Sequence, residues 1–187
     1  MDDYSGLSLA VDLANSFEVF DGLEHLRTVS DLAAFAVDHD VDPGKATATD
    51  LDRVRAARRS LRDAMLAGDE HVAVDALNAL LAGSHPLPRM THGPDGVWAL
   101  GFADPSASLA DRMVAEAAGG ALQEIAQHGL RRFSECGSST CEDVFVDRSR
   151  NRSRRYCTSN VCGNREAQRA FRARQAEEAG DAEAPSG

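Results

Sequence analysis

Lysine is almost missing from this chain of 187 residues: Lys45 stands alone beside nineteen arginines. With alanine abundant, the bias reads as that of a GC-rich coding sequence, so the arginine total by itself says little. No apolar run approaches the roughly eighteen residues that a membrane helix needs, and no membrane partner is expected. Nothing at the N-terminus resembles a secretory signal, so a reducing, cytoplasmic setting is the expectation. Also missing are a paired nucleophile and base, a glycine loop that could cradle phosphate, and a metal site with an open position. The chain is therefore not expected to be an enzyme. Hydrophobic content of 43% still leaves enough for a buried core.

Cysteine is scarce too, and its placement is the most specific signal in the sequence. All four fall within 27 residues, as Cys136 and Cys141, then fifteen residues, then Cys157 and Cys162. Two Cys-x4-Cys pairs can form two knuckles whose four thiolates meet at a tetrahedral Zn2+ with no open position. One structural zinc is the reading; two disulfides or four unrelated thiols are the alternatives.

Charge is divided as sharply as cysteine. Residues 1–130 hold nine basic residues against twenty-one acids, whereas 131–174 hold eleven arginines against five acids. After Arg174, Glu177, Glu178, Asp181 and Glu183 make 176–187 an acidic tail, expected to be disordered. An acidic body with a basic end can meet nucleic acid only through that end. Arg148, Arg150, Arg154 and Arg155 crowd one turn; Arg165, Arg169 and Arg172 share one helical face. These seven are the candidate DNA contacts, with Asn151 and Asn164 either reading bases or fixing turns.

The run from Cys136 to Arg174, with VFVDRSRNRSRRYC between the pairs and Cys162-Gly163-Asn164-Arg165 after them, resembles the CGNR-type zinc finger. Tyr156 stands where that family more often has tryptophan. The resemblance implies a DNA-binding output and an N-terminal ABATE domain, credited with stress-induced transcription regulation and open to a small-molecule ligand. The opening apolar helix, with Asn15-Ser16, is similar to that domain's usual start.

The body reads as mostly helical. Helices are expected over 6–20, over 31–38 behind Thr28 or Ser30, over 50–67 capped by Thr49, over 70–82, and over 109–127. Gly119-Gly120 in the last helix calls for a kink or close packing. Residues 86–102 alternate about a Gly-Pro-Asp-Gly turn at 93–96 and read as a hairpin packed on the helices. Asn15, Arg89 and Trp98 are candidate ligand contacts. The arginines of the 50–67 helix read as a solvated face paired with acids.

Within 131–175, Glu142–Val146 is expected to be a strand returning at Arg154–Cys157. Phe133, Phe145, Tyr156 and Phe171 would build a small core under a C-terminal helix. The fold class is α+β, mainly α: a helical body (1–130) with one hairpin, a zinc-binding hairpin and helix module (131–175), and the tail. Three functions fit: a zinc-dependent regulator contacting double-stranded DNA, expected to act as a homodimer because one finger offers little base-reading surface; a zinc-stabilised protein-interaction module; and a thiol redox sensor.

Overall fold

The computed structural model describes residues 5–92 and 96–182, with no side-chain account of Ser5 or of 177–182. Among these residues are six α-helices and three antiparallel sheets of two strands each.

Helix α1 (Ser5–Ala14) buries Leu7, Leu9, Ala10 and Leu13. It ends six residues earlier than its periodicity predicts. Ser16 donates both its N–H (3.1 Å) and its hydroxyl (2.7 Å) to the Leu13 carbonyl, a local bond that competes with the helix ladder. The chain then turns through Gly22, at φ +67°, so that β1 (Phe17–Glu18) pairs with β2 (Leu23–Glu24).

Reciprocal capping boxes start α2 (Val29–Asp38) at Thr28 and Asp31, and α3 (Ala48–Met65) at Thr47 and Asp50. The cap of α3 is Thr47 and not Thr49 because Asp50 does two jobs. Its carboxylate accepts from the Thr47 N–H (3.0 Å) and from the Ala110 N–H of a second helix (3.1 Å). Asp69 caps α4 (Glu70–Gly83), and Ser108 caps α5 (Leu109–His128).

Helix α5 is the centre of the body and packs on α1, α3 and α4. Its alanines 110, 115, 117, 118 and 121 are buried, which lets neighbouring helices approach closely. Close packing accounts for the paired glycines. A Cβ on Gly120 would lie 2.3 Å from the Gly6 carbonyl carbon, and one on Gly119 would lie 2.1 Å from the Phe102 ring.

The hairpin β3 (Arg89–His92) and β4 (Trp98–Gly101) is as predicted, registered Arg89 to Gly101 and His92 to Trp98. The predicted turn falls largely on 93–95, outside the described residues. Glu116 fastens the hairpin to α5 by accepting from Phe102 N–H (2.9 Å) and Ala103 N–H (2.8 Å).

After α5, a single 3-10 turn (Leu130–Arg132) leads into β5 (Phe133–Glu135), which pairs with β6 (Val144–Val146). The expected return strand at Arg154–Cys157 is thus replaced by Phe133–Glu135. Residues 154–157 are drawn instead to the cysteine cluster, where Arg155 O accepts from Gly137 N–H (2.7 Å) and Cys157 N–H donates to Cys136 Sγ (3.4 Å). Phe133 and Val144 belong to the same apolar core as Leu9, Leu13 and Leu77, so the finger is welded to the body.

A π-helical turn (Ser159–Gly163) opens α6 (Asn164–Ala182). Phe171 is 54% exposed and Ala167 is exposed, so neither joins the expected small core. One aromatic on an otherwise polar helix is too thin a stripe to dock it. The backbone is helical through 182, into the 176–187 stretch expected to be disordered; 183–187 lie outside the described residues.

Candidate metal centre and arginine surface

Strands β5 and β6 and the start of α6 bring the two cysteine pairs together. The four Sγ atoms all lie within 4.8 Å of one another, the one such cluster of His, Cys, Asp or Glu among the described residues. Cys141 and Cys157 Sγ are 3.6 Å apart, as are Cys157 and Cys162 Sγ. A disulfide needs about 2.05 Å. Four thiolates at about 2.3 Å from one zinc stand about 3.8 Å apart, so the spacing fits one structural zinc. Cys136 and Cys162 are buried, and Cys141 and Cys157 half-buried, which leaves little room for a fifth ligand.

Burial pushes the Cys157 thiol up to about 12 and raises the Cys141 thiol as well, with the Asp143 carboxylate adding to the rise at Cys141. Burial also opposes ionisation of Cys136, but N–H groups of Cys157 and Ser138 outweigh it and hold that thiol below its ordinary value. A dication among the sulfurs removes the opposition.

Asp147, 2% exposed, organises the arginine-rich turn. Its carboxylate accepts from Ser149 N–H (2.8 Å) and Arg154 N–H (2.9 Å). Burial would raise its pKa, yet Ser149, Arg154 and the nearby Arg132 charge outweigh burial and hold it low. Arg132 clamps the same turn, donating to Asp147 O (2.9 Å) and Ser149 O (3.0 Å).

The predicted DNA contacts divide into two sets. Arg154 serves the fold: it donates to Tyr156 O (2.9 Å) and Cys157 O and lies 4.9 Å over the Phe145 ring. Arg148 faces the body, 3.7 Å from the buried Glu124 of α5. Arg150, Asn151 and Arg155 are exposed on the turn, and Arg172 is exposed on α6. Asn164 donates to Asn160 O (2.9 Å), fixing the turn before α6. Arg165 reaches Thr140 Oγ1 (3.2 Å) and Arg169 reaches Ser139 Oγ, both on the first cysteine knuckle. Glu166 locks the same junction, accepting from Ser138 Oγ (2.8 Å), Ser139 N–H (3.0 Å) and Ser139 Oγ (2.9 Å).

Of the candidate ligand contacts, Asn15 sits in the seam between body and finger. Its amide donates to Val144 O and accepts from Val144 N–H, both at 2.8 Å. Arg89 lines a cavity between the hairpin, α1 and α5. Trp98 is 63% exposed and stacks edge-on against His92, a wall of that cavity, at 4.9 Å. Sequence reasoning missed the seam residues Glu70, Arg62 and Glu124. Glu70 accepts from Leu130 N–H (3.0 Å), and Arg62 bonds Glu135 of β5 (2.8 Å). The basic run on α3 gave the only hint, and its arginines are indeed paired: Arg53 with Asp111, Arg58 with Glu24, Arg62 with Glu135.

Two family profiles match the chain. The ABATE family, described as "putative stress-induced transcription regulator", covers residues 7–130, and the CGNR zinc finger covers 132–175. No curated protein matches the sequence. No helix among the described residues is long and apolar enough to cross a membrane.

Proposed function

Because the chain belongs to the ABATE family and carries a CGNR zinc finger, we propose that it is a transcription regulator whose zinc-organised arginines bind double-stranded DNA. The observation that supports this most is the way Arg165 and Arg169 rest on hydroxyls of the first cysteine knuckle. The metal, by fixing that knuckle, fixes where two guanidiniums of α6 point. Arg150, Arg155 and Arg172 add exposed charge, while Arg148 and Arg154 drop to supporting roles in the fold. Guanidinium forks suit phosphate oxygens and guanine edges. The acidic body repels DNA and so leaves the finger as the contact face.

In this reading residues 1–130 form a sensor for a small ligand, 131–175 form the output, and the protein acts in the cytoplasm on DNA as a homodimer. The test is binding of a duplex from the protein's own promoter region, followed by fluorescence anisotropy across a salt series. Arg172→Ala is expected to weaken binding to all sequences and reduce the salt slope by about one unit. Unchanged affinity and slope in Arg165→Ala, Arg169→Ala and Arg172→Ala together would refute the assignment. Sedimentation of the complex should give two chains per site; one chain would refute the dimer.

A further inference from the structure

The cavity behind the β3–β4 hairpin has a volume of about 290 Å3 and is walled by α1, residues 39–42 after α2, the hairpin and α5. Some of its polar groups are already occupied. Glu116 is taken by two backbone N–H groups, and Asp42 accepts from Gly44 N–H (3.0 Å). Arg112 is different. One of its terminal nitrogens donates to Asp42 O (2.7 Å), but its Nε–H is buried and has no partner among the described residues. A buried donor without an acceptor is costly, and few are left so in native proteins.

We propose that this cavity binds a small organic monocarboxylate. The carboxylate accepts from the guanidinium of Arg112, which lines the cavity, and its apolar body lies against Leu9, Val41, Leu100 and Phe102. Charge-assisted bonds from a guanidinium favour a carboxylate over a neutral carbonyl. Charge also limits the ligand. Asp40, Asp42 and Glu116 face Arg89, Arg112 and the histidines His39 and His92 around the cavity, so a doubly charged phosphate meets too many acids. The volume lies at the small end for ligand pockets. Helix α1 supplies Gly6 and Leu9 to the wall, and Asn15, the residue that follows its end, holds Val144 of the finger. The stretch 6–15 therefore touches both the cavity and the finger.

This assignment rests on reading the body as a sensor, so it is tested separately from DNA binding. Full-length, zinc-loaded protein is titrated calorimetrically with benzoate and hexanoate, with benzamide and hexanamide as neutral counterparts, and with inorganic phosphate. Fluorescence of the one tryptophan, Trp98, gives a second signal through His92. At least one carboxylate should bind, its amide at least about tenfold more weakly, and phosphate not at all. R112M should lower carboxylate affinity by a similar factor. Should R112M fail to fold, L100D carries the test: Leu100 is 42% exposed, and an acid there repels the ligand while leaving Arg112 in place. Equal affinity for amide and acid, binding unchanged in the folded variants, or no binding at millimolar carboxylate would each overturn the proposal. In the last case water occupies the site. DNA binding without carboxylate binding would overturn this proposal alone.

Discussion

Replacing Asn15 by alanine removes both hydrogen bonds that join the end of α1 to β6. Val144 is fully buried, so its N–H and carbonyl would lose their partners without gaining water. Each stranded backbone group costs about 1–3 kcal/mol, and the pair together about 2–4 kcal/mol once local relaxation is allowed. For a chain of this length that corresponds to a fall in Tm of about 4–16 °C. Urea unfolding of zinc-loaded Asn15→Ala, with zinc content measured in parallel, tests the figure. Zinc should remain at one per chain, since Asn15 touches no cysteine. Asn15→Asp keeps the acceptor for Val144 N–H but turns a second anionic oxygen to its carbonyl, so it should recover at most half of the loss. A change within about 0.5 kcal/mol for Asn15→Ala, the range of ordinary surface substitutions, would refute the view that this amide ties finger to body.

Two further outcomes follow from the packing and the charges. Gly120→Ala should cost about 1–3 kcal/mol by overpacking, and more than Gly119→Ala. The obstacle at Gly120 is the backbone of Gly6, whereas Gly119 faces the half-buried, movable ring of Phe102; urea midpoints of the two variants check the order. Acid should weaken the body through Asp50. Burial opposes its ionisation, but Thr47 and Ala110 outweigh burial and hold its folded pKa below the ordinary value. Its contribution is therefore complete above the unfolded pKa near about 4 and is lost as pH falls through the lower folded value. Stability measured from pH 6 to 3 should fall less steeply in Asp50→Asn than in the wild type.

Helices and metal ligands were readable because their signals are local. Capping residues, apolar spacing and Cys-x4-Cys pairs act over a few positions, and α2, α4, α5 and the four-sulfur site stand where those signals put them. Three features depended on distant partners and were not readable. The strand β5 pairs with β6 because Phe133 and Val144 complete a core supplied by α1 and α4, which no pattern within 131–175 reveals. Thr47 outcompetes Thr49 as a cap because Asp50 also serves α5, sixty residues on. Phe171 looked like core by type, yet it is the one large apolar residue among the described side chains of α6, too little to dock the helix. Among the arginines, spacing could not separate Arg154, spent on the carbonyls of Tyr156 and Cys157, from Arg172.

The most direct test of the central claim, that a zinc-fixed knuckle aims the α6 arginines at DNA, is duplex binding by zinc-loaded wild type beside Cys157→Ser at several salt concentrations. Wild type should hold one zinc and bind in the presence of competitor DNA. Its affinity should fall steeply with salt, and binding should be lost with Cys157. A protein that holds its zinc yet binds no duplex at physiological salt, or that binds equally well without Cys157, would contradict it.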